Sequence, residues 1–385
     1  MTKNIPWPAN SGEKQRTLGM VRALRAVGDV TVVGFVGEFD DPAPAAAEGV
    51  RVRCVHGPRA RGAPRLALRA LRRRSITAAK WWDAQLRSEI TQELARGYDV
   101  VVIEHVQLAD YLPRSLPPRV VSVLDMHNIE SLLTSRLART TRSWRRLPMA
   151  VEARALRRLE RRCAPRFDVV SVVSSVDVGA LRDVVGHPCV MVVPNAYSGA
   201  GSLLPPAPRP TACFVGLLSW APNADAALAF TRDVWPAVRA GVPGARLLLV
   251  GREPTEAVRR LADIDIVVTG TVEDLRPWYE QSRVALAPLL AGGGSRLKIM
   301  EALSSGRPVV ATSVGVEGLE DLVGRGVVVA DDPATMAAEL IRLLSDPSLA
   351  TALGEQGAAA VRDDHSWESA TSSLIEHLEV LHATL

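Results

Sequence analysis

The stretch Ala291-Gly292-Gly293-Gly294-Ser295-Arg296-Leu297-Lys298-Ile299-Met300-Glu301-Ala302-Leu303-Ser304-Ser305-Gly306-Arg307-Pro308-Val309-Val310-Ala311 decides the fold. It follows a short apolar run, Val284 to Ala287, that reads as a buried strand. Glycines come next, then a helical pattern, then a second apolar run from Pro308 to Ala311. Strand, helix and strand in that order form one crossover of a parallel sheet. Glycines let the backbone approach a ligand and turn its N–H groups toward it. The start of the following helix adds partial positive charge and unpaired N–H groups, so the junction suits a phosphate.

Arg296 and Lys298 fall in the first turn of that helix, where cations oppose the helix dipole. Two cations there make sense around a bound anion, and a diphosphate is the natural candidate. The chain has only four lysines among 46 basic residues, so a lysine at this position suggests that a compact ammonium is wanted. Glu301 lies on the same helix face as Lys298, and its carboxylate can accept both hydroxyls of a ribose. The bland alternative is a solvated helix start with a local Lys298–Glu301 pair.

Outward from this stretch the same rhythm repeats. Asp99 to Ile103, Val120 to Leu124, Asp168 to Val173 and Cys189 to Val193 read as buried strands of the first half. Ala212 to Val215, Ala245 to Val250, Ile264 to Val268 and Val327 to Val329 join the two runs above in the second half. Amphipathic stretches such as Asp225 to Arg239 and Ala334 to Leu344 lie between. Continuous Val/Ile/Leu runs alternating with helices predict doubly wound α/β domains. Ser198 to Pro210, rich in Gly, Ser and Pro, reads as a linker. The expected fold is therefore α/β, with two Rossmann-like domains facing across a cleft. Their bounds are 1–197 and 211–365, with 198–210 between and a helix over 366–385 that returns to the first domain. Leu374, Leu378 and Leu381 recur there at helical spacing and need a surface. Met1 to Ile5 is short for a first central strand, which predicts a natural start a few residues upstream.

At 385 residues the chain is long enough for two cores, and 47% hydrophobic with 23% charged residues is a globular composition. No apolar run reaches the roughly 18 residues that cross a bilayer. The four cysteines show no ligand spacing and are expected to be buried, reduced thiols, consistent with a cytoplasmic protein. The charge of +4 is uneven. One basic run extends from Arg59 to Arg74, and a second from Arg136 to Arg162. Few aromatics accompany them, so nucleic acid is excluded as a partner. A solvated face is the default reading, and the inner face of a membrane or an anionic acceptor is the functional one.

With these residues in view, the sequence resembles the GT-B glycosyltransferases of family 4, the retaining glycosyl transferases group 1. The resemblance is most specific from Phe214 to Gly318: Phe214-Val215-Gly216, Pro222-Asn223, Leu248 to Arg252, Thr269 to Val272, Ala287-Pro288-Leu289 and the glycine-rich helix start. It implies that Glu301 binds the donor ribose and that Arg296 and Lys298 hold the diphosphate. It also puts Gly270 and Val272 near the base and Arg252 near the cleft. His127, in Asp125-Met126-His127-Asn128-Ile129-Glu130, resembles the histidine that contacts the donor sugar beside the reacting carbon. His105 has a similar strand-end location with less support, and Gly12 would allow close approach to the donor phosphate. Two departures stand out. Many members carry a further glutamate where this chain has Gly293, so the N–H groups of Gly293 and Gly294, with Ser295, are left to bind the donor. Leu217 and Asn223 stand where many members have Arg and Lys.

The resemblance implies a sugar transfer from a nucleoside-diphosphate sugar to an unidentified acceptor, with retention, no metal and no cofactor beyond the donor. No residue stands out as a covalent nucleophile, which favours front-face displacement. A GT-B nucleotide-sugar epimerase and a non-catalytic nucleotide-sugar-binding subunit are the rival readings.

Overall fold

The structure, a computed structural model, describes residues 1–9, 11–38, 40–57, 75–140, 146–187, 189–197, 203–291 and 297–384. The chain divides into two compact units, Met1–Asn195 with Trp367–Leu385, and Ala196–Gly292 with Arg296–Ser366.

The second unit is built on six parallel strands: β7 (Thr211–Val215), β8 (Arg246–Val250), β9 (Ile266–Val268), β10 (Val284–Ala287), β11 (Val309–Ala311) and β12 (Val327–Val329). Their spatial order is β12-β11-β10-β7-β8-β9. The chain winds outward from β7 in one direction, then returns to its other side at β10. That reversal is the topological switch point of a Rossmann sheet, and ligands bind outside the carboxyl ends of the strands there. The strands are buried on both faces, which is why they read as unbroken apolar runs. The expected helix from Asp225 to Arg239 is two helices, Ala221–Asp233 and Trp235–Gly241. Pro236 lies in the first turn of the second helix, where its missing N–H is harmless, but it cannot continue the first. Of the expected linker, 198–202 lies outside the described residues. Its later part is fastened down: buried Arg307 donates to the carbonyls of Leu204 and Pro205, and Arg283 to that of Ala207.

The first unit has a two-stranded sheet, β1 (Thr31–Val36) and β2 (Arg51–His56), and a four-stranded one. The latter runs β3 (Val100–Glu104), β4 (Val121–Met126), β5 (Val169–Val172) and β6 (Val190–Val192), all parallel. Residues 1–5 join the two sheets. Thr2 and Ile5 donate to the carbonyls of Val33 and Phe35 on β1, while the N–H of Glu104 on β3 donates to the carbonyl of Met1. This short segment does the work of a central strand: the chain winds outward from it through β1 and β2, then returns to its other side at β3, with every strand parallel.

The helix Trp367–Thr384 belongs to the first unit and packs on the helix Gly12–Arg25 and on β4. Leu374 and Leu378 enter a core with Met20, Val121, Val123 and Val169. Gly19 is required at the crossing, because a Cβ there would lie 2.0 Å from the Trp367 ring. One expectation needs correcting. Cys163 and Cys213 are buried, but Cys189 is half-buried and Cys54 exposed. Cys54 sits on β2, which pairs with β1 alone among the described strands and exposes Arg51, Arg53, Cys54 and His56.

Candidate functional site

In the second unit the helix Leu297–Ser304 follows β10 and carries Lys298 in its first turn. The Lys298 ammonium lies at the carboxyl end of β7, 4.5 Å from the centre of the Phe214 ring. It donates to Asn223 Oδ1 at 2.8 Å. The Asn223 amide N–H₂ in turn donates to the Leu217 carbonyl at 2.9 Å, which fixes the side chain as an acceptor toward the lysine. A Cβ on Gly216 would meet Lys298 Nζ at 3.1 Å and the Asn223 amide at 2.7 Å, so only glycine leaves this space. Beside it Gly251 adopts φ 153°, and a Cβ there would lie 1.7 Å from the Gly216 carbonyl oxygen. Two glycines thus bring the ends of β7 and β8 together under the ammonium. Gly293, Gly294, Ser295 and Arg296 lie outside the described residues, so of the two cations expected there only Lys298 is described.

Glu301 is one turn further along the helix. Burial pushes its carboxyl up to about 7, and Asp274 adds to the rise while Tyr279 and Lys298 oppose it. The Tyr279 hydroxyl donates to Glu301 Oε2 at 3.3 Å. Tyr279 itself is buried and its phenol is held well above its ordinary range, by burial first and then by Glu301. Tyr197 is raised to about 12 by burial and by the same carboxylate. The hydroxyls therefore stay protonated beside a carboxylate that is costly to charge when no ligand is bound. Hydroxyl donors from a ligand would lower that cost.

Gly270 takes φ 74° in the turn after β9, with open space where a Cβ would stand. Val272 packs against the core on the sheet face that holds Leu248 and Tyr279. Arg252 follows β8, and its carbonyl accepts from the Leu218 N–H at 2.9 Å.

In the first unit a buried charged cluster forms at the carboxyl ends of residues 1–5, β3 and β4. Asp125 is fully buried and its acidity is set by opposing effects: burial raises the carboxyl, but Arg16 and His127 outweigh it and hold it far below the usual range. Arg16 also donates to the Val193 carbonyl at 2.9 Å and to Asn195 Oδ1 at 3.0 Å, tying the first helix to the end of the unit. Ser171 donates a further hydrogen bond to Asp125 at 2.7 Å. His127 is 6% exposed, with Nε2 3.2 Å from Asp125 Oδ2. Its ring packs 4.0 Å from that of His105. His105 has φ 66°, a backbone conformation that costs a non-glycine residue on the order of 1–3 kcal/mol. Burial and the neighbouring His127 push the His105 imidazole down to about 3, so it is neutral. His105 Nε2 stands 3.3 Å from Glu13, the second residue of the helix that Gly12 opens.

Glu104, Asp125 and His127 offer ligand atoms within 4.8 Å of one another, a spacing that suits a metal ion. The donor set does not fit one: both oxygens of Asp125 already bind the Arg16 guanidinium, which supplies the positive charge an ion would bring.

Sequence reasoning missed Arg16, Tyr279 and the partner role of Asn223. Arg16 lies in the first loop-and-helix segment, but its partner is 109 positions away and no local pattern marks it. The basic run from Arg59 to Arg74 lies outside the described residues, as do Arg142 and Arg145.

Residues 209–346 match the model for glycosyl transferases group 1, a stretch that contains all six strands of the second unit. A curated relative, an uncharacterized 44.6 kDa protein of the cps region of Klebsiella pneumoniae, is 26% identical over 137 residues. That match covers 33% of this chain and 35% of the relative, about a third of its length. Among solved structures, sucrose-phosphate synthase from Thermosynechococcus elongatus matches 100% of this chain and 96% of its own at TM-score 0.72 and 18% identity. WaaG, a glycosyltransferase of lipopolysaccharide biosynthesis, matches 98% of each chain at TM-score 0.66 and 12% identity. HepE of Anabaena, solved with UDP and glucose, matches 94% of this chain and 95% of its own at TM-score 0.64 and 15% identity. The likeness shows the fold: an α/β chain of parallel sheets with the GT-B architecture of these glycosyltransferases.

Proposed function

We propose that the chain is a glycosyltransferase that moves a sugar from a nucleoside-diphosphate sugar to an acceptor, with retention of anomeric configuration and without a metal. The observation that carries the reading is the Lys298 ammonium at the switch point of the second unit's sheet. There it is held by Asn223 and Phe214 and faces the carboxyl end of β7. An ammonium fixed at this point, one turn from a carboxylate suited to a ribose, matches a nucleoside diphosphate: phosphate at the helix start, ribose on Glu301. Lys298 would stabilise charge on the departing diphosphate without reorganising, which is electrostatic catalysis by a preorganised group. Arg296, Gly293, Gly294 and Ser295 complete the diphosphate site in this reading. Arg252, Gly270 and Val272 are assigned to the nucleoside side, and Gly12 to the donor phosphate, on the strength of the family resemblance. His127 is assigned to the donor sugar on the strength of the family resemblance.

The test is thermal stabilisation by UDP, GDP, TDP and ADP, repeated with Lys298→Ala and Glu301→Ala. One diphosphate should raise the melting temperature in the wild type and in neither variant. No shift with any of them would remove the donor site. Once a donor and acceptor are found, NMR of the product anomer tests retention, and activity in excess chelator tests independence from metal.

A further inference from the structure

The helix Arg146–Cys163 of the first unit carries six arginines and two glutamates. Both glutamates are used inward. Glu152 accepts from the Ser75 hydroxyl at 2.7 Å and from the N–H groups of Ile76 and Thr77 at 3.0 Å, capping the helix Ile76–Lys80. Buried Glu160 accepts from the N–H and hydroxyl of Ser131. Among the described residues, the helix's one ion pair to a carboxylate is Arg162–Asp110. Arg154, Arg157, Arg158 and Arg161 are exposed and line an open concavity of about 270 Å³ by themselves. Arg154 with Arg158, and Arg157 with Arg161, repel at one-turn spacing, an arrangement that a folded helix tolerates at a cost unless anions screen it.

The same face continues into apolar residues. Leu147, Val151, Arg154, Arg158 and Arg161 fall on one stripe at helical spacing, with Leu147 72% and Val151 58% exposed. A free phosphate or a soluble acidic ligand would have no use for the two apolar side chains. A stripe with exposed aliphatic residues at one end and uncompensated arginines along the rest matches the boundary between lipid headgroups and acyl chains. The arginines span about 10 Å along the axis, room for more than one headgroup.

We propose that this stripe is a membrane-docking face. Arg154, Arg157, Arg158 and Arg161 take the phosphates of anionic lipids, and Leu147 and Val151 enter the acyl boundary. The face is independent of the donor site in the second unit, and its failure would leave that reading untouched.

The experiment is co-sedimentation of the full chain with vesicles of phosphatidylcholine alone and of phosphatidylcholine with about a third phosphatidylglycerol. The wild type should pellet with the anionic vesicles and remain in solution with the neutral ones. Basic residues at an anionic surface contribute enough each that Arg154→Ala with Arg158→Ala should weaken partitioning about thirtyfold. Leu147→Ser with Val151→Ser should weaken it severalfold at unchanged charge. All four positions are exposed, so both double variants should keep the wild-type melting temperature, which is measured alongside. Equal pelleting with both vesicle types, or wild-type partitioning of the arginine variant, would overturn the proposal. Competition by inorganic phosphate at constant ionic strength, with the Leu147/Val151 variant unaffected, would reassign the arginines to a free anion and equally overturn it.

Discussion

Arg16 and Asp125 form a bidentate ion pair with almost no access to water. Arg16 Nη2 lies 2.6 Å from Asp125 Oδ1 and Nε 3.0 Å from Oδ2, with side chains 1% and 0% exposed. The pair joins the first helix to the end of β4, where His127 begins.

Removing one partner of such a pair leaves the other charge buried and uncompensated. Arg16→Met is therefore expected to cost about 3–5 kcal/mol, and Arg16→Lys less because it keeps the charge but loses the fork. Urea unfolding of both variants checks this. Asp125 has its pKa depressed in the fold, so its contribution is full above about pH 4 and is lost only as pH falls through the folded value. The difference between wild type and Arg16→Met should thus be constant from pH 6 to 8.

Lys298 sits where a longer, forked side chain would strike its surroundings. With the Gly216 backbone, Asn223 and the Phe214 ring so close, Lys298→Arg should fail to restore the nucleotide-dependent rise in melting temperature that Lys298→Ala abolishes. Isothermal titration with the diphosphate that stabilises the wild type measures it. Wild-type affinity in the arginine variant would show that charge alone, and not the shape of the ammonium, matters here.

Glu301 should show a signature in stability as well as in binding. Its folded pKa of about 7 lies above the value near 4.3 of a free glutamate. A carboxyl raised in this way favours the fold below the unfolded value, and that advantage is lost as pH climbs from there through 7. At pH 8 the ligand-free protein carries a buried charge that Glu301→Gln removes. The variant should therefore be more stable at pH 8, on the order of 1–3 kcal/mol, with the gain shrinking toward pH 5. It should also bind nucleotide more weakly. Melting curves from pH 5 to 8 check the first statement, and titration the second.

The contact between Gly19 and Trp367 leaves no room for a methyl group. Gly19→Ala should push the last helix away and lower the melting temperature, despite alanine's better helix propensity. Truncation after Ser366 should lower it further, by exposing Met20, Val121 and Val169. Burial of Leu374 and Leu378 alone is worth roughly 1.5–3 kcal/mol each. Unchanged melting of the truncated chain would show that the helix contributes nothing.

Much of this was legible because parallel strands buried on both faces leave continuous apolar runs. All ten expected strands occur, each within a residue or two of the expected bounds. β1 and β2 were not expected. Arg51 and Arg53 break the apolar pattern of β2, which pairs with β1 alone among the described strands and is mostly exposed. The second-unit site was legible because a lone lysine and a carboxylate on one helix turn carry a local signal. Asn223 and Tyr279 carry none, since their roles depend on strands and helices that meet only in the folded sheet. The same holds for Arg16, whose partners Asp125, Val193 and Asn195 come together only once β4 and the last strand are in place.

The helix Trp367–Thr384 also governs the order in which the chain can be made. The second unit is inserted in the sequence of the first, so the helix Trp367–Thr384 is synthesised only after the second unit. Until then Met20, Val121, Val123 and Val169 lack their cover, while all of the second unit has been made and can already fold. The nascent chain therefore passes through a stage with one finished unit and one unfinished, sticky one. Exposed apolar surface makes such an intermediate prone to aggregate until translation reaches Trp367–Thr384.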